Sequence, residues 1–265
     1  QRQMCIRDRY AHRAQVRQLI AEMEQKGIIK RAITPYVSPL VVVAKKNGSI
    51  RICLDARKLN AVTIPRYEAP PTINDMIVKL GGAAIFSALD FSSAYWQIAV
   101  ESGSQKYISF RFEGTVYSFT RLPFGLKNSG AALIRYLDDV IPAELKETLI
   151  TYVDDIVLFS PDLKAHLRDL RQLFEIFRTY NLKLNIEKCK FCQLKVQFMG
   201  HEISGEGIEI QECKKEMIRK LPPPKNIRGL RRLFGILNYY SRFVKNYSQK
   251  VVPLLHLLRK GNRWN

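Results

Sequence analysis

Two adjacent carboxylates, Asp154 and Asp155, lie between short apolar runs at 149–153 and 156–159 that are rich in Ile and Val. Such runs predict two buried strands of a tight hairpin with the aspartates at its tip. Aspartates are ordinary turn formers, but unpaired carboxylates are costly to bury. On this segment alone, a plain turn and a binding site for a cation both remain open.

A near twin of this pair, Tyr-Leu-Asp-Asp, occupies residues 136–139. Apolar residues around it recur at spacings of three and four, which predicts an amphipathic helix over 131–141. Neighbouring helical residues point about 100° apart, so Asp138 and Asp139 cannot both face one small ligand. We therefore predict that this second pair lies on a solvated helix surface.

A third aspartate, Asp90, ends the apolar segment 83–91, which is predicted to be a buried strand. Two strand-end carboxylates placed side by side repel each other, so at least one pKa would rise. A divalent cation removes this conflict, because Mg²⁺ binds carboxylates together with phosphate oxygens of a substrate. Two such ions about 4 Å apart are suited to phosphoryl or nucleotidyl transfer. Asp90, Asp154 and Asp155 are thus candidate metal ligands.

The charge balance points to a polyanionic partner. The chain has 265 residues, of which 43 are Lys or Arg and 24 are Asp or Glu, giving a net charge of +19. A solvated surface accounts for part of this excess, but its size favours nucleic acid. The 46% hydrophobic content excludes a disordered chain. No apolar stretch reaches the roughly 18 residues that span a bilayer, so we expect no membrane contact.

The cysteines are few and odd in number, which fits a reducing compartment. Cys189 and Cys192 form a CxxC with His201 and Cys213 nearby, so a zinc site is an alternative, although the spacing differs from that of a standard finger. The first nine residues, QRQMCIRDR, resemble translated sequencing-adapter sequence and lack the apolar core of a secretion signal. No element of the fold is predicted from these nine residues.

The remaining patterns mix helices and strands, which predicts an α+β fold. The predicted elements are a helix from Val16 to Gly27, hairpins at 38–55 and 107–122, a loop at 123–130, a helix at 163–180, a strand at 196–204 and a helix after the proline run at 222–225. Asn226 can cap that last helix.

Several blocks occur in a fixed order: GIIKRAITPYVSPLVVVAKKNGSIRICLDARKLN (27–60), FSALDFSSAYWQI (86–98), LPFGLKNSGA (122–131), YVDD (152–155), LKLNIEKCKF (182–191), FMGHEIS (198–204) and LPPPKNIRGLRRLFGILNYYSRFVKNYS (221–248). Together they resemble a reverse transcriptase, and more narrowly the polymerase of a Ty3/gypsy-type long-terminal-repeat retrotransposon. The resemblance covers about residues 11–265.

The resemblance implies a right-hand polymerase with an antiparallel palm sheet packed on helices. It assigns the fingers to 10–64 and 99–130, the palm to 65–98 and 131–204, and the thumb to 205–265. No RNase H acid cluster can be assigned, so we expect a polymerase fragment of a larger polyprotein with protease, RNase H and integrase parts.

For the chemistry, the resemblance implies that Asp90, Asp154, Asp155 and the carbonyl of Phe91 hold two Mg²⁺ ions, with Mn²⁺ as the alternative. Lys188 matches a lysine that protonates the leaving pyrophosphate. Because Cys189 follows it as in the family, Cys189 is interpreted as a packing residue.

For the incoming dNTP, the resemblance implies that Arg51 and Lys45, with Lys46 as the alternate, grip the triphosphate. Tyr95 stands at the position of a steric gate against the ribose 2′-OH. The resemblance also implies that Phe124 and Gly125 lie beneath the nascent base pair.

For primer and template, the resemblance implies contacts from Tyr152 and a primer grip at Met199 and Gly200. Basic residues of the last predicted helix would track phosphates: Arg228, Arg231 and Arg232. The family's Ala-Pro after PFGLKN is replaced by Ser129-Gly130-Ala131, and its glycine before the gate by Ala94, which leaves geometry and rate in question rather than reaction type.

The expected function is RNA-directed DNA polymerisation with dNTPs on an RNA template, a DNA primer and their RNA–DNA hybrid. The alternatives are a decayed or domesticated nucleic-acid-binding remnant and an RNA-dependent RNA polymerase. The expected location is the cytoplasm, within a virus-like particle, with the nucleus as the alternative.

Overall fold

The structure is a computed structural model that describes residues 13–44, 48–68, 72, 75–76, 79–153 and 155–258. Three residues with predicted roles, Lys45, Lys46 and Asp154, lie outside these ranges, as do the first nine residues.

The described residues form an α+β fold, as predicted. The helices are α1 Arg13–Gln25, α2 Arg57–Val62, α3 Ser129–Val140, α4 Ala143–Lys146, α5 Leu163–Thr179, α6 Glu212–Arg219, α7 Ile227–Tyr239 and α8 Tyr247–His256. The strands are β1 Ile29–Arg31, β2 Val37–Ser38, β3 Leu40–Ala44, β4 Ile50–Leu54, β5 Ile85–Asp90, β6 Ser109–Phe112, β7 Thr115–Phe119, β8 Leu149–Tyr152, β9 Asp155–Ser160, β10 Lys190–Gln193, β11 Lys195–Phe198, β12 His201–Ser204 and β13 Gly207–Ile210.

The central sheet, of strand order β10-β5-β9-β8, is antiparallel. Strands β5 and β9 pair without interruption from Ile85 opposite Ser160 to Asp90 opposite Asp155. Because side chains alternate along a strand, the sheet has two different faces. One face, with Leu89, Ile156 and Leu158, packs on α3 and α5; the other packs on the sheet β11-β12-β13.

A second core joins α1 to the strands that flank it. Val16, Ile20 and Met23 of α1 are buried, as the helical spacing predicted, and α1 ends shortly before Gly27, whose φ is +65°. They pack with residues of the β3–β4 hairpin and of a mixed sheet ordered β1-β7-β6-β2. The hairpin predicted at 107–122 is formed by β6 and β7, which turn at Glu113-Gly114 with both residues at positive φ, as this turn requires.

The last part of the chain packs α7 against α8 through Leu230, Phe234 and Val251. The predicted cap is confirmed, because the Asn226 side chain accepts a hydrogen bond of 2.8 Å from the backbone N–H of Gly229. Among the residues that the structure describes, no helix is both long and apolar enough to cross a membrane.

The predicted strand at 196–204 is wrong, because the segment forms two strands, β11 and β12, joined by a turn at Met199 and Gly200. Both turn residues have positive φ, 48° and 78°, which lets the chain reverse within two residues. Methionine rarely occupies such a position, so the residue pattern at 199 did not indicate a turn. The same turn brings residues predicted to grip a primer to the end of a hairpin.

Helix α5 follows its predicted range and buries Leu170, Leu173 and Phe177, but not every leucine along it. Leu163 and Leu167 are about half exposed, at 51% and 50%, while His166 and Asp169 are buried. His166 is fully covered because its two ring nitrogens contact hydroxyl groups of Ser87 (2.7 Å) and Ser160 (3.1 Å). The buried face of α5 therefore combines apolar residues with a histidine that has polar partners on the central sheet.

Candidate functional site

Asp90 and Asp155 lie directly opposite each other at the ends of β5 and β9. Tyr152, at the end of β8, is the partner of Asp155 on its other side. Opposite residues in an antiparallel sheet point to the same face with Cβ atoms about 4.5 to 5.5 Å apart. Three predicted site residues thus form one row across three strands, on the face that meets the β11–β12 hairpin.

Strands β8 and β9 pair up to Tyr152 opposite Asp155, and Val153 is the first residue after β8. Val153 has φ of 57°, a conformation that β-branched residues rarely adopt and that marks a constrained turn. The prediction placed both aspartates at the tip, but Asp155 is the first residue of β9 and is paired on both sides. Asp154 lies outside the described residues.

Lys188 places its ammonium group on Asp90, with Nζ at 3.1 Å from Oδ1 and 3.2 Å from Oδ2. The segment before it is tied to the same strand end, because the N–H of Asn185 donates to the carbonyl of Asp90 at 2.8 Å. Phe91 pairs with Leu184 in a single bridge, and its ring packs edge-on against Phe177. The backbone of 183–185 thus brings Lys188 to the carboxylate.

Cys189 packs at the edge of the core beneath Asp90, in agreement with the packing interpretation. Its Sγ lies 3.5 Å from the backbone nitrogen of Asp90, which donates to it. The thiol is therefore engaged with the strand end that carries the carboxylate.

A cavity of about 230 Å³ connects the carboxylates to the β11–β12 turn. Its lining includes Asp90, Asp155, Lys188, Met199 and Gly200, which the sequence assigned to catalysis and to the primer grip. The structure therefore brings two groups of predicted residues, which come from separate segments of the chain, to one site.

The donor chemistry of this site fits a hard divalent cation. Two carboxylates share one face at adjacent strand ends, and oxygen donors of this kind are what Mg²⁺ prefers. The ammonium group of Lys188 already lies on Asp90, whose side chain is only 19% exposed. The ammonium group of Lys188 thus offsets part of the negative charge of the carboxylates.

Phe124 is the centre of a second cluster, formed by residues predicted to meet the dNTP. The guanidinium carbon of Arg51 lies 4.7 Å from the centre of the Phe124 ring, and the Tyr95 ring contacts that ring edge-on at 5.2 Å. Trp96 contacts it from a further direction at 5.9 Å. The ring quadrupole holds a cation over an aromatic face and favours edge-on ring pairs, so Phe124 orients both Arg51 and Tyr95.

Gly125 allows the loop to approach the β3–β4 hairpin closely. Its φ is +110°, and a Cβ atom here would collide with the carbonyl oxygen of Leu54. The N–H of Leu54 donates to the carbonyl of Phe124 at 2.9 Å, and Asn60 donates to the carbonyl of Gly125 at 2.9 Å. The glycine is required for backbone proximity, and this loop is fixed to β4, the strand that carries Arg51.

The Met199–Gly200 turn is contacted by α7. The Tyr239 hydroxyl lies 3.3 Å from the carbonyl oxygen of Met199 and 3.3 Å from Nε2 of His201, over which its ring stacks. Burial lowers the pKa of His201 and raises that of Tyr239, so both side chains favour their neutral forms.

The twin pair Asp138 and Asp139 is exposed on α3, as predicted. Asp138 forms an ion pair with Lys146 at 3.6 Å between exposed side chains. Arg228, Arg231 and Arg232 are likewise exposed on α7, whose buried residues are Leu230 and Phe234.

Several residues at these sites were not singled out from the sequence. Gln197 and Gln211 line the cavity, Asn60 and Trp96 contact the Phe124 loop, and Tyr239 reaches the β11–β12 turn. Their partners are distant in sequence, so no local periodicity identifies them. Among these residues, Trp96 was the easiest to find from the sequence, because it directly follows Tyr95.

A family model described as reverse transcriptase (RNA-dependent DNA polymerase) matches residues 43–203. The Pol polyprotein of transposon opus from Drosophila melanogaster is 35% identical over 252 residues, covering 93% of this chain and 25% of that protein. The Pol polyprotein of transposon gypsy from the same organism is 32% identical over 249 residues, covering 92% of this chain and 24% of that protein.

Among solved structures, a foamy viral protease-reverse transcriptase in complex with double-stranded DNA superposes with a TM-score of 0.83 at 25% identity, over 95% of this chain and 44% of that chain. A complex of the foamy viral protein with RNA/DNA hybrid gives a TM-score of 0.77 at 25% identity, over 94% of this chain and 34% of that chain.

These similarities and the observed architecture define an α+β polymerase fold. The chain belongs to the reverse transcriptase family, and its relatives are Pol polyproteins of retrotransposons. It spans about a quarter of the length of those curated relatives. Enzymes of this family generally use divalent metal ions, in keeping with the donor set around Asp90.

Proposed function

We propose that the chain is the polymerase part of an RNA-directed DNA polymerase, which adds dNTPs to a primer 3′-hydroxyl on an RNA or DNA template. The observation that carries the proposal is the pairing of Asp90 with Asp155 in one cavity with Lys188 and the Met199–Gly200 turn. Polymerisation needs charge stabilisation at the reacting phosphate and a fixed primer end, and this cavity is lined by groups suited to both.

Two Mg²⁺ ions, or Mn²⁺ in their place, would be held by Asp90, Asp155, Asp154 and the carbonyl of Phe91. When bound, such ions favour the deprotonated attacking hydroxyl and offset charge on the leaving group. Lys188 would lie beside the phosphates and donate a proton to the departing pyrophosphate.

The Phe124 cluster would hold the incoming dNTP. Arg51, oriented by the Phe124 ring, would pair with triphosphate oxygens together with Lys45 or Lys46. Tyr95 would occupy the space of a ribose 2′-OH and so favour deoxyribonucleotides. The Phe124–Gly125 backbone, fixed by Leu54 and Asn60, would support the base pair from below.

The primer and template would run from the cavity toward α7. Tyr152 and the Met199–Gly200 turn would hold the primer end, and the exposed Arg228, Arg231 and Arg232 would contact backbone phosphates without reading sequence. RNA template, DNA primer and their hybrid are therefore the proposed partners.

The division into fingers, palm and thumb at the boundaries given above forms part of this proposal. The boundary after residue 204 falls inside the β12–β13 hairpin, so a boundary beyond β13 is the better choice. As part of a Pol polyprotein, the chain would act with protease, RNase H and integrase, in cytoplasmic virus-like particles or in the nucleus.

Primer extension tests the proposal. A labelled DNA primer on an RNA template is incubated with Mg²⁺, dNTPs and the protein, and Asp155→Asn serves as the inactive control. We expect extension by the wild type alone. Extension with dNTPs but not rNTPs separates this function from RNA polymerisation, whereas duplex binding without any extension would support a non-catalytic remnant instead.

A further inference from the structure

The side-chain amide of Gln97 forms hydrogen bonds to two segments that are far apart in the sequence, at Ser92 and at Lys183. We call this set of bonds the clasp. The Nε2 atom of Gln97 donates to the carbonyls of Ser92 (2.6 Å) and Lys183 (2.9 Å), and its Oε1 accepts from the N–H of Lys183 (2.7 Å). One amide therefore satisfies both backbone groups of Lys183, as a neighbouring strand residue would.

The first of these segments carries the gate residue. Gln97 ends the short helical turn Ala94–Gln97, which contains Tyr95, and its bond to Ser92 closes the loop that leads into that turn. Within this loop Ser93 adopts a left-handed conformation with φ of 51°, which is uncommon for residues other than glycine. The bond to Ser92 thus fixes both ends of a tight loop around Tyr95.

The second segment carries Lys188. Residues 183–185 continue the pairing of the strand end, through Ser92 N–H to the Lys183 carbonyl (2.9 Å) and Asn185 N–H to the Asp90 carbonyl (2.8 Å). The turn Ile186–Lys188 follows at once and brings the ammonium group to Asp90. The clasp therefore joins the loop around Tyr95 to the segment that positions Lys188.

We propose that Gln97 is a positioning residue that sets the distance between the Tyr95 gate and the Asp90–Lys188 pair, and so contributes to sugar selection. The inference rests on the proposed polymerase function. A gate discriminates only if its ring is held firmly where a 2′-OH would lie, because a loop that yields by a fraction of an ångström admits the extra oxygen. Gln97 supplies that restraint through backbone bonds without touching the nucleotide.

The test compares Gln97→Glu and Gln97→Met with the wild type. Glutamate keeps the acceptor for Lys183 N–H but turns a carboxylate toward two carbonyl oxygens, and methionine removes all three bonds at similar length. The matched control is Gln193→Glu, which loses a comparable amide-to-carbonyl bond of 2.7 Å at the exposed end of β10. The ratio of kcat/KM for a dNTP to that for the matching rNTP should fall about tenfold in both Gln97 variants, and stay unchanged in the control.

A double-mutant cycle with Tyr95→Ala separates positioning from general loosening. Once the gate ring is gone, Gln97→Met should cause no further loss of sugar discrimination. An unchanged ratio in the Gln97 variants, or losses that simply add to that of Tyr95→Ala, would overturn the proposal.

Amide hydrogen exchange gives a second measurement that does not depend on activity. The amides of Ser92 and Lys183 should exchange faster in Gln97→Met than in the wild type and in Gln193→Glu. Absence of primer extension by the wild type would contradict the polymerase function alone, since exchange still reports on the clasp. Unaltered exchange at both amides would refute the clasp itself.

Discussion

The ammonium nitrogen of Lys188 contacts both carboxylate oxygens of Asp90, at 3.1 and 3.2 Å. The lysine side chain is 63% exposed while that of Asp90 is 19% exposed, so the contact leaves the ammonium group open to a ligand in the cavity. A group in this place can either balance charge or transfer a proton.

Substitution of Lys188 distinguishes these two roles. Lys188→Gln should lower kcat about a hundredfold, the effect of losing a general acid. Lys188→Arg keeps the charge but holds its proton too tightly to donate it, so its kcat should remain low. Single-nucleotide incorporation measured against pH checks this, and full activity of the arginine variant would show that charge alone suffices.

The two aspartate pairs should respond differently to the same change. Asp155→Asn removes a carboxylate from the cavity and should reduce extension by about a thousandfold or more, since metal-assisted stabilisation is worth several kcal/mol. Asp138→Asn removes only an exposed ion pair with Lys146 and should leave extension within about twofold of the wild type. Comparable losses in both variants would contradict the assignment of the site.

Gly125→Ala should destabilise the fold by about 2 kcal/mol or more, because alanine disfavours φ of +110° and its Cβ would collide with Leu54. Gly130→Ala is the matched control. Gly130 lies inside α3 with open space where a Cβ would stand, so alanine should stabilise by about 0.5 to 1 kcal/mol. Urea unfolding measures both, and equal stability of the two variants would disprove the close approach.

Replacing Arg228, Arg231 and Arg232 together by glutamine should weaken binding to an RNA–DNA hybrid and make it less dependent on salt. If each contacts one phosphate, the slope of log affinity against log salt should fall by about 2 to 3. The control replaces three exposed basic residues of α5 by glutamine: Lys164, Arg171 and Arg178. Fluorescence anisotropy at several salt concentrations checks this, and equal slopes for both triple variants would rule out specific contacts from α7.

Acid should destabilise the fold through His166. Burial lowers its pKa from 6.5, so the unfolded chain binds a proton more readily than the folded one. The stability is therefore complete above about pH 6.5 and is lost as pH falls through the lowered pKa. Urea unfolding at several pH values should show this decline, and His166→Gln should reduce its slope. The remaining slope comes in part from His201, whose pKa is lowered by burial as well.

Local chemistry predicted the elements whose determinants lie close together in the chain. The aspartate hairpin, the Glu113-Gly114 turn and the Asn226 cap all follow from residues within a few positions. The opposition of Asp90 and Asp155 needed the further assumption that two strand ends meet, which is confirmed.

What the sequence did not show depends on distant partners. The burial of His166 on α5 depends on hydroxyl groups of Ser87 and Ser160, and one of these lies 79 positions away. The Met199–Gly200 turn places a methionine at positive φ, where local preference predicts a continuing strand. The role of Gln97 becomes visible only when residue 183 lies beside it. In each case a tertiary contact outweighs a local pattern.

The unbroken pairing of β5 with β9 has a consequence for how such a chain loses activity over time. A slip of one residue between these strands would send Asp155 to the opposite face and carry apolar residues such as Val157 with it. The cores on both faces of the sheet oppose that slip. The alignment of the carboxylates therefore depends on Phe86, Val157 and Leu158 as much as on the aspartates themselves. Mutations in the hydrophobic core can thus abolish the activity of such a retrotransposon polymerase while every catalytic residue is still present.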